Sequence, residues 1–254
     1  MIHILIPMAG RGRRFAERGF AMPKPLVPIH GIPMVELVTA NLRLRRPHRF
    51  CFLALQEHLE SWGLRDLLLR LAPGGVVIPV TDVTEGAACT ALLARKHVDS
   101  PDPLVIANCD QWVDASFGDF VDQLVEGTSD GLIMTMRASD PRWSFVSIGA
   151  DGAVVRVVEK EVVSNEATVG IYGFRRGRDF VRAADAMIAR NARVRGEFYL
   201  APVYNELIAE GMRVEVRSVG RLDEGMHGLG EPEDVARFLR NPISRAAAAG
   251  VRAP

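Results

Sequence analysis

The stretch Ile2-His-Ile-Leu-Ile-Pro7-Met8-Ala9-Gly10-Arg11-Gly12-Arg13-Arg14-Phe15, with Pro23-Lys24-Pro25 shortly after it, decides the fold. An apolar run from Ile2 to Pro7 feeds into Gly10 and Gly12, as a buried strand feeds a tight turn whose backbone can approach a ligand closely. Successive amides in such a turn form a nest for anions. Arg13 and Arg14 follow at once, and two prolines stiffen the backbone around Lys24, so fixed cations gather about whatever the loop holds. Taken alone, the two glycines are explained by a plain solvated turn. With Arg14 and the Pro-Lys-Pro element beside them, they point to a bound polyphosphate. The spacing excludes two commoner glycine loops. Phe15 stands where a dinucleotide-binding turn needs its third glycine, and the Gly-x-x-x-x-Gly-Lys-Ser/Thr pattern of a P-loop is absent from the sequence.

Outward from this stretch, strand and helix patterns alternate: Met1 to Pro7, Val35 to Arg45, Arg49 to Leu55, a leucine-rich helical run from Leu59 to Leu71, then Val76 to Val80, Ala87 to Val98 and Leu104 to Asn108. Such alternation predicts an α/β fold, a Rossmann-like, mainly parallel central sheet with helices on both faces. Ligands on these sheets bind beyond the carboxyl ends of the strands, where the Gly10 loop and Asp110 both fall. From Gly131 the pattern changes to successive strands, Leu132 to Arg137, Phe145 to Ile148, Val154 to Glu159 and Ala167 to Phe174, with turn signals at Ser139-Asp-Pro141 and Asp151-Gly152. A smaller, partly antiparallel region forming the second wall of a cleft is expected there. Helices return at Arg178 to Arg190 and Ala201 to Glu210, and residues 241–254 read as a C-terminal appendage, helical or frayed.

The 254 residues, 48% of them hydrophobic, suit one large domain, and 31 lysines and arginines balance 31 aspartates and glutamates. A neutral global field offers no footprint for a nucleic-acid polymer or a membrane surface, so binding charge must be local. No apolar run is long enough to span a bilayer, and the start lacks the pattern of a signal peptide. Cys51, Cys89 and Cys109 are odd in number and widely spaced, which fits neither a disulfide framework nor a zinc site and makes a reducing cytoplasm the economical expectation. Cys109 lies beside Asp110, but Cys51 and Cys109 both sit in apolar runs and read as core residues.

Gly10-Arg-Gly12-Arg-Arg14-Phe15, Pro23-Lys24-Pro25 and Gly31-Ile-Pro33-Met34 together resemble the sugar-phosphate nucleotidylyltransferase family, and further matches run to about Leu239. Arg13 departs from the family's small hydroxyl residue. The resemblance implies one nucleotidylyltransferase domain over residues 1–240, with a nucleotide-binding half (1–130) and an acceptor-binding half (131–240). It implies Arg14 and Lys24 as catalytic cations, and Met8, Ala9, Gly10, Gly12 and Arg13 as the nucleotide-binding loop. Thr84-Glu85-Gly86-Ala87 matches the segment that holds the base, which brings Glu85, Gly86 and Ala87 to the nucleotide side; a helix start with a carboxylate near the positive end of its dipole accounts for the same residues. Thr81 falls where thymidylyl and uridylyl members carry a base-reading glutamine.

Asp110 stands where the family places its magnesium-binding aspartate, and Mg²⁺ takes one or two carboxylates plus phosphate oxygens. An aspartate at a strand end also commonly caps the following turn. Glu159 and Lys160 match the acceptor-phosphate pair, Gly170 lies in the family-like Val169-Gly170-Ile171-Tyr172, and Glu197 in an altered acceptor-side segment. Gly228 occupies the position of a second metal aspartate, leaving Asp223 and Glu224 as reserve ligands; His227 reads as structural.

The implied chemistry is transfer of NMP from an NTP to a phosphorylated acceptor with release of pyrophosphate. A phosphomonoester is largely dianionic at neutral pH and needs no side-chain base. Branch-like features (the Ile-Pro-Met-Ala-Gly start, Thr-Glu-Gly-Ala-Ala-Cys and Gly-Leu-Gly-x-Pro-Glu-Asp) resemble capsule and surface-polysaccharide members, including a phosphoglutamine cytidylyltransferase. They favour CTP or another pyrimidine nucleotide and leave sugar 1-phosphate and small non-sugar acceptors both open, as they do a homo-oligomer. A non-catalytic nucleotide-sensing or scaffold protein of the same fold is the rival, supported by Gly228. A nicotinamide-dependent oxidoreductase is disfavoured by Phe15.

Overall fold

The protein, represented by a computed structural model, is described over residues 1–252. Its strands in chain order are β1 (Ile2–Met8), a short hairpin of β2 (Pro28–Ile29) and β3 (Ile32–Pro33), β4 (His48–Leu55), β5 (Val76–Val80), β6 (Leu104–Ala107), β7 (Gln111–Val113), β8 (Gly131–Arg137), β9 (Ser144–Ile148), β10 (Val154–Glu159), β11 (Glu166–Phe174), β12 (Val214–Leu222) and β13 (Gly225–Gly228). The helices are α1 (Arg13–Glu17), α2 (Met34–Asn41), α3 (Gln56–Ser61), α4 (Leu64–Leu71), α5 (Ala87–Leu92), α6 (Arg95–Val98), α7 (Phe117–Glu126), α8 (Gly177–Ala189), α9 (Tyr204–Ala209), α10 (Pro232–Arg240) and α11 (Ile243–Arg252).

All strands but β2 and β3 join one sheet in the order β5-β4-β1-β6-β11-β8-β12-β13-β7, and the β9–β10 pair attaches to it through β11. The β5, β4, β1 and β6 strands are parallel neighbours. Parallel strands covered on both faces read as continuous apolar runs, and β1 obeys this. Its Ile2, Ile4, Ile6 and Met8 enter one buried cluster and Leu5 the other, as the two-residue period of a strand requires. Helices α2, α7 and α10 supply side chains to the first cluster, α5, α8 and α9 to the second, so the expected α/β sheet with helices on both faces is what forms. The antiparallel β11 sits between β6 and β8 and marks where the parallel block ends.

Three long expectations are refined. The run from Leu59 to Leu71 breaks into α3 and α4 because Gly63 takes a left-handed φ of 62° that ends one helix before the next begins. Ala87 to Val98 divides into α5 and α6, where Leu93 and Ala94 donate to Thr90 and Ala91 in tighter, three-residue steps. Ala201 to Glu210 opens with a 3₁₀ turn at Pro202 before α9. Residues 243–252 form a helix whose Ser244, Ala247 and Ala248 are buried, with His30 Nε2 2.8 Å from Ser244 Oγ. The short strands β7 and β13, and α7, α10 and β12, are additions to the expected elements.

An aromatic stack anchors the second cluster: Phe174 lies parallel to Tyr204 at 4.6 Å and tilts against Phe180 at 5.1 Å, all three fully buried. Replacing Phe174 by alanine opens a cavity against neighbours fixed on separate elements. We expect Phe174→Ala to cost about 3–5 kcal/mol of stability, measured by urea unfolding.

Candidate active site

The carboxyl ends of β1 and β6 lie side by side, and the loops that leave the two strands meet there. After β1 the chain turns through Gly10 to Gly12, whose left-handed φ of 62° starts α1; a methyl on Gly12 would come within 3.3 Å of Lys24 Cβ. Only glycine gives that turn and lets the lysine stem lie against it. Lys24 itself opens a 3₁₀ turn between the buried prolines 23 and 25. Its Nζ donates to Asp110 Oδ2 at 2.6 Å. Burial alone would weaken the ammonium, yet Asp110 beside it outweighs that loss and holds the Lys24 pKa above its ordinary value. The same burial pushes the neighbouring Cys109 thiol up to about 11, which makes it a core residue and not a nucleophile.

Two adjoining cavities, of about 510 and 320 Å³, share Asn108, Arg142, Trp143 and Lys160 in their walls and so form one cleft. The larger holds Arg14, Asp110, Gly228, Gly230, Glu231 and Asp234. The smaller holds Ala87, Ser144, Glu159, Gly170, Tyr172 and Tyr199. Arg14 Nη1 donates to Glu231 Oε1 at 2.6 Å, which ties α1 to the start of α10. Lys160, at the end of β10, sits in the left-handed region at φ 58° and donates from Nζ to Tyr199 Oη at 2.6 Å. A non-glycine residue held in this conformation costs of order 1–3 kcal/mol, and such strain concentrates at ligand sites. Glu159 is partly desolvated, which raises its pKa against the opposing influence of the Ser144 hydroxyl and Lys160.

Several expected residues stand elsewhere. Arg13 points to solvent and pairs with Glu17 of its own helix at 2.7 Å, so its guanidinium is turned away from the cleft. Met8 and Ala9 are buried, leaving only their backbone near the turn. Thr81 is exposed at the end of β5, and Glu85 reaches Arg193 at 3.1 Å. Glu197 is exposed, its backbone paired with Val194. Gly86 is required by packing: at φ 136° a methyl there would lie 2.4 Å from the Phe198 carbonyl oxygen. Gly170 does likewise at φ 81°, since a methyl would meet Asn108 Nδ2 at 2.2 Å, and its carbonyl accepts from Gln111 Nε2 at 3.1 Å. The reserve carboxylates lie off the cleft: Glu224 is exposed and paired with Arg221 at 2.6 Å, and Asp223 is paired with Arg237 at 3.0 Å. His227 is buried between Trp112 and Phe238, as a structural residue would be.

Arg142, Arg195 and Asp234 are among the cleft residues that the sequence did not point to. Arg142 stacks at 4.6 Å over Trp143, and it comes directly after the Ser139-Asp-Pro141 turn that the sequence did signal. Asp234 sits in the first turn of α10, behind the Pro232 that signals a helix start.

Comparison with known proteins bears on this geometry. The nucleotidyl transferase family matches residues 4–196, and the chain belongs to that family. It is 25% identical over 255 residues to the bifunctional protein GlmU of Cellvibrio japonicus, covering 97% of this chain and 54% of that one. A GlmU of Burkholderia multivorans is 24% identical over 223 residues, covering 84% and 46%. The chain therefore spans about half the length of these curated relatives. Among solved structures, a nucleoside-diphosphate-sugar pyrophosphorylase from Vibrio cholerae superposes with a TM-score of 0.78 at 27% identity, over 93% of this chain and 99% of that one. The inositol-1-phosphate CTP transferase of T. maritima superposes at 0.73 with 16% identity, over 98% and 96%, and shares the fold.

Two glycines of the site separate packing from binding. A methyl on Gly10 would meet no atom within 4 Å, whereas one on Gly86 would strike backbone. Gly10→Ala should therefore unfold within about 0.5 kcal/mol of wild type in urea, while Gly86→Ala should lose about 1–3 kcal/mol. If the open space over Gly10 is where phosphate lies, Gly10→Ala weakens nucleotide binding despite its intact stability, as calorimetric titration would show.

Proposed function

We propose that the protein transfers NMP from an NTP to a phosphorylated small-molecule acceptor and releases pyrophosphate. One observation carries the reading: a single cleft is lined by Arg14 and by Asp110, on which the Lys24 ammonium rests, and Lys160 stands where its two cavities join. Membership of the nucleotidyl transferase family supports it. In the proposed step an oxygen of the acceptor's phosphate attacks the α-phosphorus, the bond from that phosphorus to its bridging oxygen breaks, and the electron pair leaves with pyrophosphate. No proton must be removed from the dianionic nucleophile, so the work of the site is alignment and charge neutralisation.

Lys24 and Arg14 are assigned to the triphosphate. Lys160 is assigned to the acceptor's phosphate, with Glu159 beside it, and Gly170 positions Asn108 and Gln111 at the floor between the two. Residues 1–130 then form the nucleotide-binding half and 131–240 the acceptor-binding half. Asp110 is the ligand we assign to Mg²⁺. It fits that ion, being a partly exposed carboxylate that already carries a cation, the Lys24 ammonium, on Oδ2. Bound there, Mg²⁺ would supply charge stabilisation to the α-phosphoryl group and to the departing pyrophosphate. CTP or another pyrimidine nucleotide is the favoured donor, and the acceptor is a sugar 1-phosphate or a small non-sugar phosphate. The Vibrio cholerae pyrophosphorylase, at 27% identity, supports the sugar class. A role in surface-polysaccharide synthesis in the cytoplasm agrees with these substrates.

The four NTPs tested against sugar 1-phosphates and non-sugar phosphates, with pyrophosphate release as the readout, should give turnover with one base strongly preferred. No release from any pairing would leave the scaffold reading in place. Lys24→Ala should lower kcat at least about a hundredfold while weakening ground-state NTP binding much less, because its charge opposes that developing in the transition state. Lys160→Ala should raise the acceptor KM at least about tenfold with NTP affinity nearly intact by calorimetry. Loss of NTP binding with an unchanged acceptor KM would reverse the two assignments.

A further inference from the structure

We infer that Asp234 is the second carboxylate that faces the divalent ion in this protein, taking the part that a side chain at Gly228 or Gly230 would otherwise play. The inference rests on the nucleotidyl-transfer reading. Pairing of β13 with β7 sets Gly228 beside Gln111, and Leu229 N donates to the Asp110 carbonyl at 2.7 Å, so this glycine segment runs along the back of Asp110. A methyl built on Gly230 would lie 3.2 Å from Asp110 Oδ2 and 4.0 Å from Asp234 Oδ2, and one on Gly228 would lie 3.6 Å from Asp234 Oδ2. Carboxylate oxygens from two separate elements therefore border one small space that both glycines leave open toward the cleft.

Asp234 is not an ordinary surface acid of a helix start. It is 6% exposed, and its two oxygens face different ways. Oδ1 accepts from Arg237 at 2.6 Å and lies 3.7 Å from Arg142, whereas Oδ2 is the atom directed at the glycines. The Lys24 ammonium already rests on Asp110 Oδ2 at the same spot, which shows that the place attracts a cation. Mg²⁺ asks for one or two carboxylates and fills its remaining positions with water and phosphate oxygens, a demand that Asp110 and Asp234 meet between them. A carboxylate brought in from α10 makes one at position 228 unnecessary, and it leaves Asp223 and Glu224 to their arginine partners outside the cleft.

The rival is that Asp234 merely clamps α10 to Arg237 and Arg142. Titration of the protein with Mn²⁺ alone, followed by water proton relaxation, separates the two. Asp234→Asn should weaken Mn²⁺ binding at least about tenfold, whereas Arg237→Ala, which removes the nearer of the two arginine partners but keeps the carboxylate, should stay within about twofold of wild type. Equal losses in both variants, or wild-type affinity in Asp234→Asn, would overturn the inference. Should Asp234→Asn fail to fold, Asp234→Glu decides: a carboxylate carried one methylene further should change Mn²⁺ affinity severalfold if it faces the ion, and unchanged affinity overturns the inference. A protein that binds Mn²⁺ through Asp234 yet releases no pyrophosphate from any NTP would sink the transfer reading alone.

Discussion

The ion pair of Lys24 with Asp110 is the contact on which the arrangement of the site depends. It joins the segment after the glycine turn to the end of the β6 strand, and neither group is placed by local sequence alone. Both side chains are part-buried, so separating the two charges costs more than breaking a fully exposed pair, and that penalty helps hold the two segments together. Gly12 permits the approach by carrying no Cβ against the lysine stem, and the prolines at 23 and 25 remove the backbone freedom that a lysine turn would otherwise have. The strand β1 is continuous in apolar character for the same reason: it lies between parallel neighbours with a covered face on either side, and its carboxyl end must stay fixed for the turn to be of use.

A second set of constraints operates where the chain crosses itself at glycines. Gly86 and Gly170 both have positive φ, and both leave room for protein atoms: the Phe198 backbone in one case, the Asn108 and Gln111 side chains in the other. These contacts determine where the segment at Gly86 and the floor of the cleft can sit. A glycine that a family resemblance associates with a ligand can thus be fully accounted for by the fold, while a Cβ added to Gly10 would meet no protein atom within 4 Å.

The legibility of each feature in the sequence depends on how local its signal is. The glycine turn, the Pro-Lys-Pro stiffening and the apolar strands are short-range patterns, and the alternation of elements leads directly to the sheet. Asp110 is readable because it comes at the end of a strand. The nearness of Asp234 to the same glycine segment is not, because that depends on the register of β13 against β7, a pairing of a four-residue strand with a three-residue one. Strands so short carry too little periodicity to be seen, and their register is fixed by non-local contacts. Arg13 misleads for the opposite reason. Adjacent residues on a helix point about 100° apart, so Arg14 can reach Glu231 while Arg13, one step earlier, pairs with Glu17 in solvent.

The charge balance of the cleft explains how a chain of zero net charge can hold a polyanion. At the end beside the glycine turn Arg14 is matched by Glu231, Lys24 by Asp110, and Arg142 by Asp140 and Asp234. At the other end Lys160 rests on a neutral phenol, the Tyr199 hydroxyl, with Glu159 turned to Ser144 instead. An anion entering beside Lys160 displaces only a hydrogen bond. A triphosphate drawing Lys24 toward itself leaves Asp110 without its counter-charge, and a part-buried carboxylate is stabilised by one. On the proposed reading, the divalent ion that accompanies a nucleotide restores that balance, so triphosphate and metal enter as a neutralising pair at one end while the acceptor's phosphate relies on a lysine that no carboxylate holds.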